Sequence, residues 1–148
     1  MGKSVNHTTP LRALLDTNVI LDWLLDRKPW ADDAQPLWDA RDADQIAVYL
    51  SATTLTDIFY IARRQVGITG ALGVVDQCLA AFEILAVDKA LLLQARTLSG
   101  SDFEDNLQIA CAQIASLDLI VTRNTPDFIG AGIPAIEPPQ IGQYIAQP

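Results

Sequence analysis

Histidine is the scarcest chemistry-bearing residue in these 148 positions: there is one, His7, in the polar opening MGKSVNHTTP. No Ser–His–Asp or Cys–His arrangement can be built around an ordered imidazole from that position. A zinc site of the usual His/Cys kind falls with it. Cysteine is nearly as rare. Cys78 and Cys111 each stand inside an apolar helical pattern, at a spacing that matches neither a metal knuckle nor a redox CxxC pair, so both are expected to be reduced core residues. No apolar run approaches the roughly 18 residues of a membrane span. The opening residues also lack the hydrophobic stretch of a secretory signal. They are expected to form a flexible tail over residues 1–10, ahead of a single domain over 11–148 located in the cytoplasm. Positive charge is short as well, with 10 Lys and Arg against 18 Asp and Glu and a formal net charge of −8. That balance argues against a nucleic-acid binder that works by a broad basic surface. It leaves open an enzyme that meets phosphate through metal ions held by those same carboxylates.

What is present is apolar material for one core, half of all residues, arranged as short strands alternating with longer helical stretches. The pattern predicts strands at Leu11 to Leu15, Ile46 to Leu50, Glu83 to Val87, Leu119 to Val121 and Pro134 to Ile136. Helices are expected from Asn18 to about Arg27-Lys28-Pro29, from Ala31 to Arg41, from Thr53 to Gln65 with Gly67 closing it, and from Gly70 to Phe82. Further helices are expected over Lys89 to Leu98, Asp102 to Leu117 and Pro139 to Ala146. Trp23, Trp30 and Trp38 are expected to pack in the core. This order implies an α/β fold, three layers deep, with a mainly parallel central sheet covered by helices on both faces. Ligands bind such sheets outside the carboxyl ends of the strands.

The acids that fall there are the informative ones. Asp16 ends the first strand in Leu14-Leu15-Asp16-Thr17-Asn18, where it can cap the next helix, bind a ligand, or do both, since a helix N-terminus stabilises its charge. Asp57 lies at the edge of the apolar stripe formed by Leu55, Ile58 and Phe59, either as an exposed helical acid or as a ligand. Asp102, Glu104 and Asp105 open the long helix, with Ser101-x-x-Glu104 reading as a capping box. Asp102 and Asp105 are three apart and so share a face. Thr122 stands at a strand end, suited to holding a carboxylate by hydrogen bonding. Asn124 can ligate through its amide oxygen, and Asp127 is either a fourth acid or a turn residue before Phe128. Several carboxylates with no histidine among them suit a hard cation that prefers oxygen, such as Mg²⁺, which keeps waters that leave room for a phosphate and an attacking water.

LLDTNVILD (Leu14 to Asp22), SATTLTDIFYIARR (Ser51 to Arg64), DFEDNLQIACA (Asp102 to Ala112) and IVTRNTPDF (Ile120 to Phe128), in that order, resemble the PIN domain, with likeness running from about Leu11 to Ile145. The branch they look most like comprises toxins of toxin–antitoxin systems, related to the VapC toxins. The resemblance implies a Mg²⁺- or Mn²⁺-dependent ribonuclease that is often a homodimer and is held inactive by a partner antitoxin. Carried over residue by residue, the first acid is Asp16, the second, commonly Glu, is Asp57, and the third is Asp105 with Asp102 beside it. The fourth, commonly Asp, falls on Asn124. Either Asp127 supplies that charge, or the site runs on three acids and an amide with weaker hold on a second metal. Asn18 and Thr122 are implied to orient the carboxylates, and Arg123 to contact RNA or the scissile phosphate, with the pair Arg63 and Arg64 as weaker candidates of the same kind.

Two other functions compete. A phosphotransfer or phosphatase domain could use Asp16 as nucleophile, but a haloacid-dehalogenase-like site wants a second Asp two residues on, where Asn18 stands. A receiver-like site wants its acceptor on a later strand. A catalytically weakened PIN-fold module that binds RNA or protein is favoured only by Asn124.

Overall fold

The computed structural model describes residues 9–145. His7 and all of the expected tail but Thr9 and Pro10 lie outside the described residues, as does Ala146 at the end of the last expected helix.

Five strands form one sheet in the order β3-β2-β1-β4-β5, and every pairing among the described residues is parallel. The strands are β1 (Leu11–Leu15), β2 (Ile46–Ser51), β3 (Glu83–Leu85), β4 (Leu119–Val121) and β5 (Ala135–Ile136). Parallel neighbours need crossovers, and the helices supply them: α1 (Thr17–Leu24), α2 (Trp30–Asp33), α3 (Gln35–Asp42), α4 (Ala52–Ala81), α5 (Lys89–Thr97) and α6 (Phe103–Ile114). Two 3₁₀ turns, Thr125–Phe128 and Pro138–Gln143, complete the chain.

The sheet is buried on both faces, which is why β1 reads as an unbroken apolar run rather than an alternating one. Successive side chains of a strand point to opposite faces. Ala13 and Leu15 therefore join one core with Leu37, Leu50 and Ile58, while Leu14 joins a second core with Leu91, Ala110 and Phe128. Each fully buried leucine of this kind stabilises the fold by roughly 1.5–3 kcal/mol. The three-layer α/β/α fold expected from the sequence is the one observed. Cys78 and Cys111 are free thiols inside these cores, and burial pushes Cys78 up to about 11.

Several helices differ from the sequence-based expectation. The segment expected as one helix from Ala31 to Arg41 is split at Ala34, because Pro36 has no N–H to continue the ladder and instead starts α3. α1 stops at Leu24, leaving Arg27 outside the helix, free to turn back onto Asp22. Gly67 does interrupt the long α4 segment. Its φ of 75° and ψ of 178° lie where only glycine rests without strain, so the two halves meet there at a kink. α6 ends at Ile114, before the expected Leu117, and a 3₁₀ turn replaces the expected terminal helix. Of the three tryptophans expected in the core, only Trp38 is buried; it stacks on the exposed Trp23 at 4.8 Å, and Trp30 is exposed as well.

Candidate active site

β1 and β4 are neighbours at the centre of the sheet, so the residues that follow them meet. Asp16, directly after β1, is the N-cap of α1 and accepts the Thr17 N–H at 2.8 Å. Its other oxygen, Oδ2, accepts the hydroxyl of Thr122, directly after β4, at 2.8 Å. The Asn124 N–H donates to Thr122 Oγ1 at 3.0 Å, which fixes that hydroxyl in turn. Thr122 thus sits in the place the sequence assigned it, fully buried and aimed at a carboxylate. Burial raises the pKa of Asp16, and the Asp127 charge adds to this; the Thr122 and Thr17 hydrogen bonds and the Arg123 charge oppose it.

Two helices bring more acids to the same end of the sheet. α4 begins immediately after β2, with Ser51 as its cap, and so carries Asp57 over the strand ends. At α6 the cap is Asp102 rather than the expected Ser101. Asp102 has extended backbone angles, and its Oδ1 accepts the Asp105 N–H at 3.0 Å, so the helix starts one residue later than a Ser101 capping box would place it. Asp105 then stands in the first turn. Burial, followed by the charges of Asp102, Asp16 and Asp127, pushes its carboxyl up to about 6. Beside it, a hydrogen bond with Asp57, with burial and nearby acids adding, lifts Glu104 to about 7.

These groups line one open groove of about 430 Å³. Asp16, Asn18, Asp57, Asp102, Asp105, Asn124 and Asp127, seven of the residues singled out from the sequence, form its walls. The groove's floor is polar. Buried Gln108 donates its Nε2 to Thr54 Oγ1 at 3.2 Å, and Thr17 Oγ1 meets the same hydroxyl at 3.4 Å. Gln108 lies one turn after Asp105, Thr54 one turn before Asp57, and Thr17 next to Asp16. One hydrogen-bonded cluster therefore spaces the three elements that carry the acids.

Arg123 is not brought into the groove. Its Nε lies 3.0 Å from Asp22, a buried acid of α1 that also pairs with Arg27 at 2.9 Å, and its guanidinium stacks over Trp30 at 4.0 Å. The geometry gives Arg123 a pairing with Asp22 and an electrostatic reach to Asp16. Asn18 is likewise held from behind, its Oδ1 accepting from Arg27 Nη2 at 3.3 Å. Arg63 stands 5.4 Å from the Tyr60 ring at the groove's edge, and Arg64 is exposed on the same helix.

Sequence reasoning missed four contributors. Glu104 was read as a helix cap, although its place beside Asp105 in an acid-rich first turn signalled more. Gln108 is the one long polar side chain within the buried run Asn106 to Ala112, three residues after Asp105, and that pattern could have revealed it. Tyr60 follows Asp57 at helical spacing. Asp22 carried no distinguishing local signal.

The donors are all oxygens, as a hard cation requires. Among the described residues, no three acids are gathered tightly enough to cage an ion as they stand. Mg²⁺ needs no such cage, since it binds through one or two carboxylates and keeps its waters. The buried Oε1 of Gln108, which has no hydrogen-bond partner, offers such a hydrated ion or its water a neutral acceptor on the groove floor. The acids, lifted by burial and hydrogen bonding and then by one another's charge, gain from any cation that neutralises them. The residues present fit a hydrated divalent metal.

A family model described as PIN domain matches residues 12–126. The chain belongs to the PIN domain family. No curated protein sequence matches it significantly. Solved structures of similar fold include FitAcB from Neisseria gonorrhoeae, at 25% identity and a TM-score of 0.66, covering 85% of this chain and 97% of that one. A DNA-bound VapBC from Salmonella typhimurium has 21% identity and a TM-score of 0.64, covering 86% and 97%. VapC20 of Mycobacterium tuberculosis, described as a toxin that cleaves the Sarcin-Ricin loop, has 16% identity and a TM-score of 0.60, covering 73% and 86%. The matched segment of this PIN domain carries all the groove acids but Asp127, which lies one residue beyond it.

Proposed function

We propose that this chain is a metal-dependent ribonuclease, the toxin of a toxin–antitoxin pair, working in the cytoplasm as a single domain over residues 11–148. The observation that carries the reading is the groove itself, where acids from four separate elements converge at the carboxyl ends of the sheet. Family membership supports it, since PIN-domain nucleases generally use divalent metals. The similar folds seen in VapBC and FitAB complexes support a cognate antitoxin as partner, and a homodimer remains part of the proposal.

Asp16 and Asp105 would hold Mg²⁺ or Mn²⁺, with Asp127, Asp57 and Asp102 ligating directly or through water. The cation would supply charge neutralisation of the phosphate and would lower the pKa of water so that hydroxide is available as the nucleophile. The chain's own residues prepare that site. Thr122 and the Thr17 N–H hold both oxygens of Asp16 in one orientation, and the Asp102 cap orients the first turn that presents Asp105. Asn124 keeps Thr122 from turning away, and Arg27 holds Asn18 at the groove wall. The described residues that line the groove include no Lys or Arg.

The test is cleavage of a mixed RNA pool with Mg²⁺ or Mn²⁺, with EDTA, and with Asp16→Asn and Asp105→Asn in parallel. Metal-dependent cleavage abolished by either substitution is expected. A folded wild-type chain that binds Mn²⁺ but cuts nothing would instead favour the binding module, the reading that Asn124 supports.

A further inference from the structure

Tyr60 has an exposed ring at the rim of a groove otherwise walled by acids, amides, hydroxyls and Ile61. It follows Asp57 by one turn of α4, so both side chains face the same groove, and both line it. Tyr60 is 56% exposed, while Ile58 and Ala62 on the same helix are fully buried and seat α4 on the sheet. The fold therefore does not need Tyr60 for packing. The ring is nevertheless held in place. Phe59 meets it edge-on at 5.4 Å, and the Arg63 guanidinium, one turn further along, stands 5.4 Å from its centroid. Among the described lining residues it is the only aromatic one.

A groove of carboxylates repels the backbone of a nucleic acid wherever no cation intervenes. An aromatic face beside it offers an uncharged attraction to the bases, and a nearby arginine adds a positive charge at the rim. We propose that Tyr60 is a stacking platform for an unpaired nucleobase of the RNA, next to the phosphodiester held among the acids, with Arg63 as its cationic neighbour. This rests on the ribonuclease reading above and adds to it a requirement of the substrate. A base stacked within a duplex has both faces covered, so the RNA must present a single-stranded or extruded nucleotide beside the cut. Stacking reads a π-face that every base has, so this contact selects for strandedness more than for sequence.

The experiment uses a short oligoribonucleotide spanning a site that the wild-type chain cuts in the mixed pool, with Mn²⁺, and compares wild type with Tyr60→Ala and Tyr60→Phe. Tyr60→Ala is expected to raise KM roughly five- to hundredfold, the range one stacked base supplies, with kcat within about twofold of wild type. Tyr60→Phe keeps the ring and is expected to keep KM. In the second arm, abasic residues replace the nucleotides flanking the cut one at a time. At one position the wild type should show the same loss, and Tyr60→Ala should add nothing to it. An unchanged KM in Tyr60→Ala overturns the proposal while leaving the nuclease standing, as does a loss that persists in full at every abasic position. A pool that the wild type leaves uncut overturns the nuclease reading, and this proposal with it.

Discussion

Raising the pH should destabilise the metal-free protein, and a divalent cation should restore it. Among the described residues, every carboxylate whose pKa the fold clearly moves, namely Asp16, Asp22, Glu104 and Asp105, is moved upward. For Asp105 the change is from an ordinary 3.8 to about 6, and for Glu104 from 4.5 to about 7. Between those limits the folded chain holds protons that the unfolded chain has released. Stability from such groups is fully present below the unfolded value and is lost as the pH rises through the folded one. The window is therefore roughly pH 4 to 7, with stability falling upward through it. A shift of two units corresponds to about 3 kcal/mol per isolated group. Both carboxyls are substantially exposed to solvent and share the repulsion that lifts them, so together they are worth about 1–2 kcal/mol. A domain of this size moves roughly 2–4 °C per kcal/mol, which places the melting temperature in EDTA about 2–8 °C lower at pH 7.5 than at pH 5. Thermal melts followed by circular dichroism across that range measure it directly. Mn²⁺ should recover the loss at pH 7.5, and Asp105→Asn, which cannot charge, should flatten the dependence. A melting temperature that is constant or rises between pH 5 and 7.5 in EDTA would refute the reasoning.

Asp22→Asn leaves the Arg27 and Arg123 guanidiniums without their shared counter-charge. Because both arginines reach solvent, the cost is expected at about 2–3 kcal/mol, less than for a fully buried pair, as a lowered urea midpoint; a loss under about 0.5 kcal/mol would show the pairing to be idle. Thr122→Val removes the donor to Asp16 Oδ2 with little change in shape. Metal-activated cleavage should fall about 10- to 100-fold in kcat while Thr122→Ser retains most of it, and equal kinetics for the two variants would contradict the orienting role.

How much of this was legible in sequence depends on how local each cause is. β1 and β4 were read to the residue because their apolar runs are cut off by Asp16 and Thr122, and the same abrupt polarity marked the strand ends where a parallel sheet builds its site. Gly67 announced the kink in α4. The split between α2 and α3 was equally local, since Pro36 cannot continue a helix begun at Trp30, but the favourable spacing of Ala34, Leu37 and Trp38 concealed it. Long-range pairings were out of reach. Nothing around Asp22 or Arg123 signals that residues 101 positions apart will share a salt bridge, or that Trp30 will lie flat against the guanidinium instead of in the core. Glu104 was hidden for the opposite reason: its place in a first helical turn already had a sufficient local explanation.

Asn124 and Asp127 are brought together by local backbone geometry. Asn124, matched to the family's fourth acid, is neutral. It opens the 3₁₀ turn Thr125–Phe128, and the Asp127 N–H closes that turn onto the Asn124 carbonyl at 3.0 Å. Three residues make one full 3₁₀ turn, so position i+3 returns beside position i. Buried Phe128 anchors the turn in the second core, while Asp127 beside it stays exposed at the groove. Asp127 accordingly lines the same groove as Asn124, and its charge is felt at both Asp16 and Asp105. The 3₁₀ turn thus sets a charged side chain beside the neutral one, on the same groove wall.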